Sequence, residues 1–170
     1  MPSAVEHENI LIAIDDSAAT WGAVDYVADL GRTSQRLCVH LFHADFYPPD
    51  LQESRGGTTA NEEEEVEAQL ERKQQRWERR MQGAAAHLFN KARGVLERAG
   101  TAPDQIQCHV VLLAHREELT DQILNSAREF GCDTIVIGRN SFHWLKELFV
   151  DHLSEEISRR APKLYVKVIE

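Results

Sequence analysis

Two short runs, Asn9–Ile14 and Thr134–Ile137, are apolar almost without interruption. A strand with one wet face alternates apolar and polar residues. Runs that do not alternate are buried on both faces, the pattern of parallel sheets covered by helices. The first run stops at Asp15-Asp16-Ser17; the second is bounded by Gly131 and Gly138. Ligands of open α/β sheets sit outside the carboxyl ends of the strands. The chemistry of the chain is therefore expected near Asp15 and in the loop from Gly138 to Asp151, which leads into a helix starting near Asp151 or His152.

The other elements follow in alternation. Asp16 or Ser17 can cap a helix, because a side-chain oxygen there accepts from free backbone N–H groups. That helix carries Trp21, Val24, Val27 or Ala28, and Leu30 at helical spacing and ends near Gly31. A second strand, Leu37–His43, puts Leu37, Val39 and Leu41 on one face and Cys38, His40 and Phe42 on the other. Residues 47–61, with Pro48, Pro49, Gly56 and Gly57, are expected to be a flexible loop. A long helical stretch runs from Glu62 to near Gly100, its apolar stripe including Val66, Leu70, Trp77, Met81, Leu88 and Val95. Its acidic residues come first and Arg72, Lys73, Arg76, Arg79 and Arg80 follow, which suits the helix macrodipole. Gly83 marks a bend, or the part before it projects from the domain. Its charges are read as a solvated face, with packing on a second subunit as the sharper reading. Gln105–Leu113 is a third strand, Glu117–Phe130 a helix, His152–Arg160 another helix stopped by Ala161-Pro162, and Lys163–Ile169 a last strand. Strands alternating with helices give a parallel sheet with right-handed crossovers and helices on both faces.

The 170 residues are expected to form one domain with residues 1–8 as a tail. With 28 Asp and Glu against 19 Lys and Arg, the formal charge of −9 argues against nucleic acid and anionic membrane surfaces as partners. No apolar run approaches the ~20 residues a membrane helix needs, and residues 1–8 lack the features of a signal peptide. Cys38, Cys108 and Cys132 are far apart in sequence and read as reduced, buried cysteines of a cytoplasmic protein. Eight histidines raise the question of a metal, but no pair has the helical spacing of a zinc site, and Cys38 with His40 supplies only two ligands on one face. No metal site is expected. Nor is any catalytic triad, P-loop lysine or dinucleotide turn evident.

Asp15-x-Ser17, Leu41-Phe42-His43-Ala44, Asp133–Gly138, Leu145-Lys146-x-Leu148, Ser154-Glu155 and Arg160-Ala161-Pro162 follow one another along the chain. In order and spacing, these pieces resemble the universal stress protein family. The resemblance implies an open five-stranded parallel sheet of order 3-2-1-4-5, a Rossmann-like fold of the adenine nucleotide alpha hydrolase type. It implies a cytoplasmic stress-response protein, often a homodimer, paired here through the last strand, Lys163–Ile169. It also implies a nucleotide crevice at Ala13, Asp15, Ala44, Ile137, Gly138, Asn140, Ser141, Asp151, His152 and Ser154, with Ala13, Ala44 and Ile137 lining the base pocket and Asp15 near the adenosine.

Members that bind ATP carry Gly, two residues, Gly, nine residues, Gly and then Ser or Thr. Here those four positions are Gly138, Ser141, Asp151 and His152, so one survives. Glycines let backbone N–H groups approach phosphate at a helix N-terminus. Asp151, with Glu155 and Glu156 close behind, repels phosphate, and one imidazolium at His152 does not offset three carboxylates. The expectation is a regulatory or scaffolding protein with an unidentified protein partner and no cofactor, which does not bind ATP through the usual motif. The alternative is a sensor or slow ATPase holding ATP or AMP with Mg²⁺, and an adenosine-sized pocket without a polyphosphate site is a third reading. Asp15 is read equally as a helix-capping carboxylate. Arg139 and Lys146 are expected to pair with Asp151 or Glu147. Phe142 and Trp144 are expected to plug the vacated crevice or pack within the domain.

Overall fold

The computed structural model describes residues 8–52, 59–139, 141–142 and 150–170. The positions of Asn140, Trp144, Lys146 and Glu147 lie outside these residues, as does all but one residue of the expected tail. Five strands form one sheet: β1 (Asn9–Ala13), β2 (Cys38–Phe46), β3 (Ile106–Leu113), β4 (Thr134–Gly138) and β5 (Tyr165–Ile169). Their order is β3-β2-β1-β4-β5, and every neighbouring pair is parallel. Parallel neighbours require a crossover between them. These are α1 (Ala18–Thr33), α3 (Ala60–Arg98), α4 (Glu118–Glu129) and α5 (Val150–Arg160), with a four-residue helix α2 (Pro49–Gln52) preceding α3.

The strands without alternation lie at the centre. Leu11, Ile12, Ala13, Ile135, Val136 and Ile137 have no exposed surface at all. Side chains of odd and even positions in a strand leave the sheet on opposite faces, and two cores result. Ile10, Ile12, Val39, Leu41 and Val136 pack with α1 and the second half of α3. Leu11, Ala13, Phe42, Ala44, Ile135 and Ile137 pack with α4 and α5. The face assignment expected for β2 therefore holds.

The differences from the sequence pattern have local causes. β2 continues to Phe46 because His43 to Phe46 pair with Val110 to Leu113. Helix α1 runs past Gly31 to Thr33, since Gly31 packs beside Leu37 and Thr101 rather than leaving the helix. Gly131 does end the turn after α4, at a φ of 65° that glycine adopts without strain. Residues 47–52, expected to be part of a loop, are anchored instead. Tyr47 N–H donates to Leu113 O at 3.0 Å, Leu51 is buried, and Gln74 Nε2 donates to Leu51 O at 2.6 Å. Tyr47 also hydrogen-bonds Glu78 and packs on Trp77, with ring centroids 5.0 Å apart.

α3 begins at Ala60, two residues earlier than the sequence pattern indicates, because Thr59 and Glu62 form a capping box. It continues unbroken through Gly83. Its buried residues are Met81, Ala85, Leu88, Phe89, Ala92 and Leu96, all in the second half. In the first half, Trp77 packs against the core from a partly buried position, and no α3 residue before Met81 is buried.

Candidate functional site

The strand order reverses between β1 and β4, which are adjacent and paired through Ala13 and Ile137. The crevice of such a sheet opens at that point, outside the carboxyl ends. Gly138 closes β4 there. A Cβ at Gly138 would lie 2.4 Å from the backbone oxygen of Ala19. The one glycine retained from the motif is thus required by the first turn of α1, whether or not a phosphate binds.

Asp15 follows β1 and is 3% exposed. Its Oδ1 accepts from Ser17 N–H at 3.1 Å, Ser17 Oγ at 2.5 Å and Thr20 Oγ1 at 2.8 Å. Thr20 Oγ1 in turn accepts from Asp15 N–H at 2.9 Å. Ser17 occupies the N-cap position of α1, but its own side chain makes no cap bond. These bonds of Asp15 brace the turn before α1 through the N-cap residue's N–H and two hydroxyls; none of them takes a backbone N–H of α1 itself, which differs from the capping expected of Asp15. Its other oxygen, Oδ2, accepts from the backbone N–H of Phe142 at 2.5 Å, across 127 positions of sequence.

Phe142 is the residue that changes the crevice. Its φ is 58°, a left-handed conformation rare for a bulky side chain. The turn before it closes through Ser141 N–H donating to Gly138 O at 3.0 Å. The bond to Asp15 holds this backbone in place, and the ring lies within the core formed by Ala13, Phe42, Ala44, Leu113, Leu119 and Ile137. It is 1% exposed. The expected base-lining positions Ala13, Ala44 and Ile137 are brought together, and Phe142 is buried with them. Plugging or packing is therefore what the Phe142 side chain does. Ser141 is 3% exposed, and among the described residues its Oγ has no hydrogen-bond partner.

α5 begins at Val150, which makes Asp151 its second residue rather than its N-cap. The side chain of Asp151 is outside the described set; His152 and Glu155 are exposed, and Ser154 is partly buried. Glu156 pairs with Arg160 at 3.4 Å. Arg139 forms an ion pair with Glu170 at 2.7 Å, next to its backbone bond to Ile169 O; its expected partners, Glu147 and the Asp151 side chain, lie outside the described residues. Glu170, the residue after β5, lies in reach because β4 and β5 end side by side.

Sequence reasoning missed Thr20 and the bracing role of Ser17, although their offsets of two and five from Asp15 carry the signal. It also missed two histidine contacts. His43 Nδ1 lies 2.8 Å from Ile14 O, and since a carbonyl only accepts, that nitrogen carries the proton. His40 Nδ1 lies 3.1 Å from His109 Nε2, and both rings stack on Phe130, with centroids 4.9 and 3.8 Å away. Burial and the neighbouring His109 hold His40 below the usual imidazole range. Burial does the same to His109, against the opposing effect of Glu129. Cys132 is pushed up to about 12 by burial, Asp133 and Cys38. Among the described residues, no three His, Cys, Asp or Glu side chains converge to hold a metal ion. No described histidine hydrogen-bonds a hydroxyl or thiol, so no base-nucleophile pair is formed among them. No described helix is long and apolar enough to cross a membrane.

The sequence profile of the Universal stress protein family matches residues 6–164. No curated protein matches the chain. Among solved structures, the hypothetical protein MJ0577 is similar with a TM-score of 0.67 and 18% identity, over 97% of this chain and 96% of that one. A universal stress protein in complex with cAMP matches with a TM-score of 0.57 and 17% identity, over 96% and 97%. A universal stress protein family member from Burkholderia pseudomallei matches with a TM-score of 0.54 and 17% identity, over 96% of both chains. At these identities the structures attest the five-stranded Rossmann-like fold, and the match of the family profile over nearly the whole chain gives the assignment: the chain belongs to the universal stress protein family.

Proposed function

We propose that this chain is a regulatory or scaffolding protein of the stress response, cytoplasmic and not an enzyme, which does not take ATP through the family's glycine motif. The observation that carries this reading is Phe142, buried with the base-lining positions and tied by its N–H to the Asp15 carboxylate. Ser17, Thr20 and Phe142 already occupy the Asp15 oxygens, so a ribose hydroxyl would have to displace an existing donor. On the phosphate side the chain has Asp151 and His152 where the motif has glycine and a hydroxyl residue. A carboxylate at a helix start opposes the anion that the helix dipole would otherwise attract.

The proposed assembly is a homodimer joined through β5. That strand is one edge of the sheet, and an edge presents unpaired N–H and C=O groups to a second strand. Tyr165 on β5 is 59% exposed and would be covered by such a contact.

A second reading keeps a nucleotide at the crevice, as sensor or slow ATPase. It rests on the similar structure that holds cAMP. Isothermal titration with ATP and Mg²⁺, and separately with AMP and cAMP, decides between the two. The expected result is no measurable heat with ATP; micromolar affinity for ATP overturns the proposal. Binding of AMP or cAMP alone would retain the phosphate argument and overturn the closed base pocket. Ser141→Gly with Asp151→Gly and His152→Ser should gain affinity for ATP if the motif is the obstacle, and should gain none if Phe142 alone closes the site.

A further inference from the structure

The first half of α3 carries an exposed charge stripe with an internal symmetry. Glu62, Glu65, Gln69, Arg72, Arg76 and Arg79 follow one another at intervals of three, four, three, four and three. Such intervals keep side chains on one helix face and form the seam along which two helices meet. All six residues are exposed. They lie on a different face from the half-buried Val66, Leu70 and Trp77, and no buried residue of α3 precedes Met81. Among the described residues, Arg72, Arg76 and Arg79 make no ion pair.

The charges read differently in the two directions. Along the stripe they run acidic, acidic, neutral, basic, basic, basic. A second copy laid antiparallel about a two-fold axis between residues 70 and 71 places Glu62 opposite Arg79, Glu65 opposite Arg76 and Gln69 opposite Arg72. The axis then repeats all three pairings, as an isologous contact must. We infer that the outer half of α3 is a self-association surface, on which a second copy of this chain docks antiparallel through this stripe. The matched length is roughly 25 Å at the helical rise per residue.

Other occupants fit less well. A nucleic acid or a uniformly acidic protein attracted to Arg72, Arg76 and Arg79 would meet Glu62 and Glu65 on the same face, on a chain of formal charge −9. A uniformly basic partner would meet the arginines. Only a partner whose charge reverses along the helix satisfies both halves, and a second α3 does so without further assumption. Exposed ion pairs are weak singly and screened by salt. The association is therefore reversible and is separate from the β5 contact, whose main-chain pairing does not depend on these charges.

Sedimentation equilibrium of the full chain tests this. The average mass should rise with concentration in about 50 mM salt, and the association should weaken about tenfold or more in about 500 mM salt. Mass that is the same at both salts overturns the inference, whatever mass β5 pairing sets as the base. Two variants sharpen the result, both at exposed positions and both checked for retained helicity by circular dichroism. Glu65→Lys with Gln69→Lys makes the stripe basic; Arg72→Glu with Arg76→Glu makes its centre acidic. Each alone should lose the salt-sensitive association. An equimolar mixture should regain it, because each introduced lysine of one variant then faces an introduced glutamate of the other across the axis. Salt-sensitive association that survives in either single variant, or a mixture that stays at the base mass, overturns it.

Discussion

At the carboxyl end of the sheet a carboxylate is buried among donors; towards the amino end a buried and a half-buried imidazole pack against each other. Asp15 accepts from Ser17, Thr20 and Phe142 and ties β1, α1 and the loop after β4 into one unit. Each of those donors is a backbone N–H or a hydroxyl that stays a donor at any ordinary pH. His40 and His109 share a single hydrogen bond, which needs a proton on one nitrogen and a lone pair on the other. In the first arrangement the donors are fixed by covalent chemistry; in the second, which ring donates and which accepts is set by proton occupancy. The fold thus keeps a rigid polar clamp where a ligand crevice would open, and a titratable pair where the sheet is merely packed under Phe130.

The largest effect should come from the ring that the clamp holds. Phe142→Ala removes a fully buried aromatic from the core beside Ala13, Phe42 and Ile137 and should destabilise by about 4 kcal/mol. Chemical denaturation read by circular dichroism checks this, and a change below about 1 kcal/mol would show that the ring is not part of the core. Asp15→Ala should be next, at about 3 kcal/mol, since it strands the Phe142 and Ser17 N–H groups and the Thr20 hydroxyl without their acceptor. If the two residues form one unit, the double variant should lose less than the sum of the singles. Strict additivity would separate the clamp from the plug.

The parts of this comparison differed in how far the sequence revealed them. The central strands were legible because Asn9–Ile14 and Thr134–Ile137 lack alternation, and burial on two faces is the only common reason for that. The strand order that the resemblance implied is the one observed, with its reversal between β1 and β4, whereas the reading of the motif rests on Ser141, Asp151 and His152 in the sequence alone. The bond between Asp15 and Phe142 was not legible, because nothing local to either residue announces a partner 127 positions away. Phe142 also adopts a φ of 58° in a place where propensity would have suggested a glycine or asparagine. The His40–His109 contact needed the β2–β3 register, in which Phe42 lies opposite His109 and puts both histidines on one face. Helix α2 escaped notice because Pro48, Pro49 and its short length imitate a loop, while Gln74 of α3 holds it at Leu51 O and Trp77 and Glu78 hold Tyr47 just before it.

The smallest expected effect is the one that separates the two polar clusters most directly. His40 and His109 are both held below the free imidazole value of 6.5, largely by burial. Between the unfolded and folded values the unfolded chain binds more protons, so stability rises with pH in that window. In the acid direction, the pair's contribution begins to fall as pH drops below about 6.5 and is lost as the folded-state values are passed. Glu129 favours the charged form of His109 and so opposes this loss without reversing it. Melting temperature followed from neutral pH down to mildly acid pH should therefore decline, and His109→Gln, which keeps hydrogen-bonding capacity without a titrating ring, should flatten the decline. An unchanged slope in His109→Gln would assign the acid sensitivity to other groups.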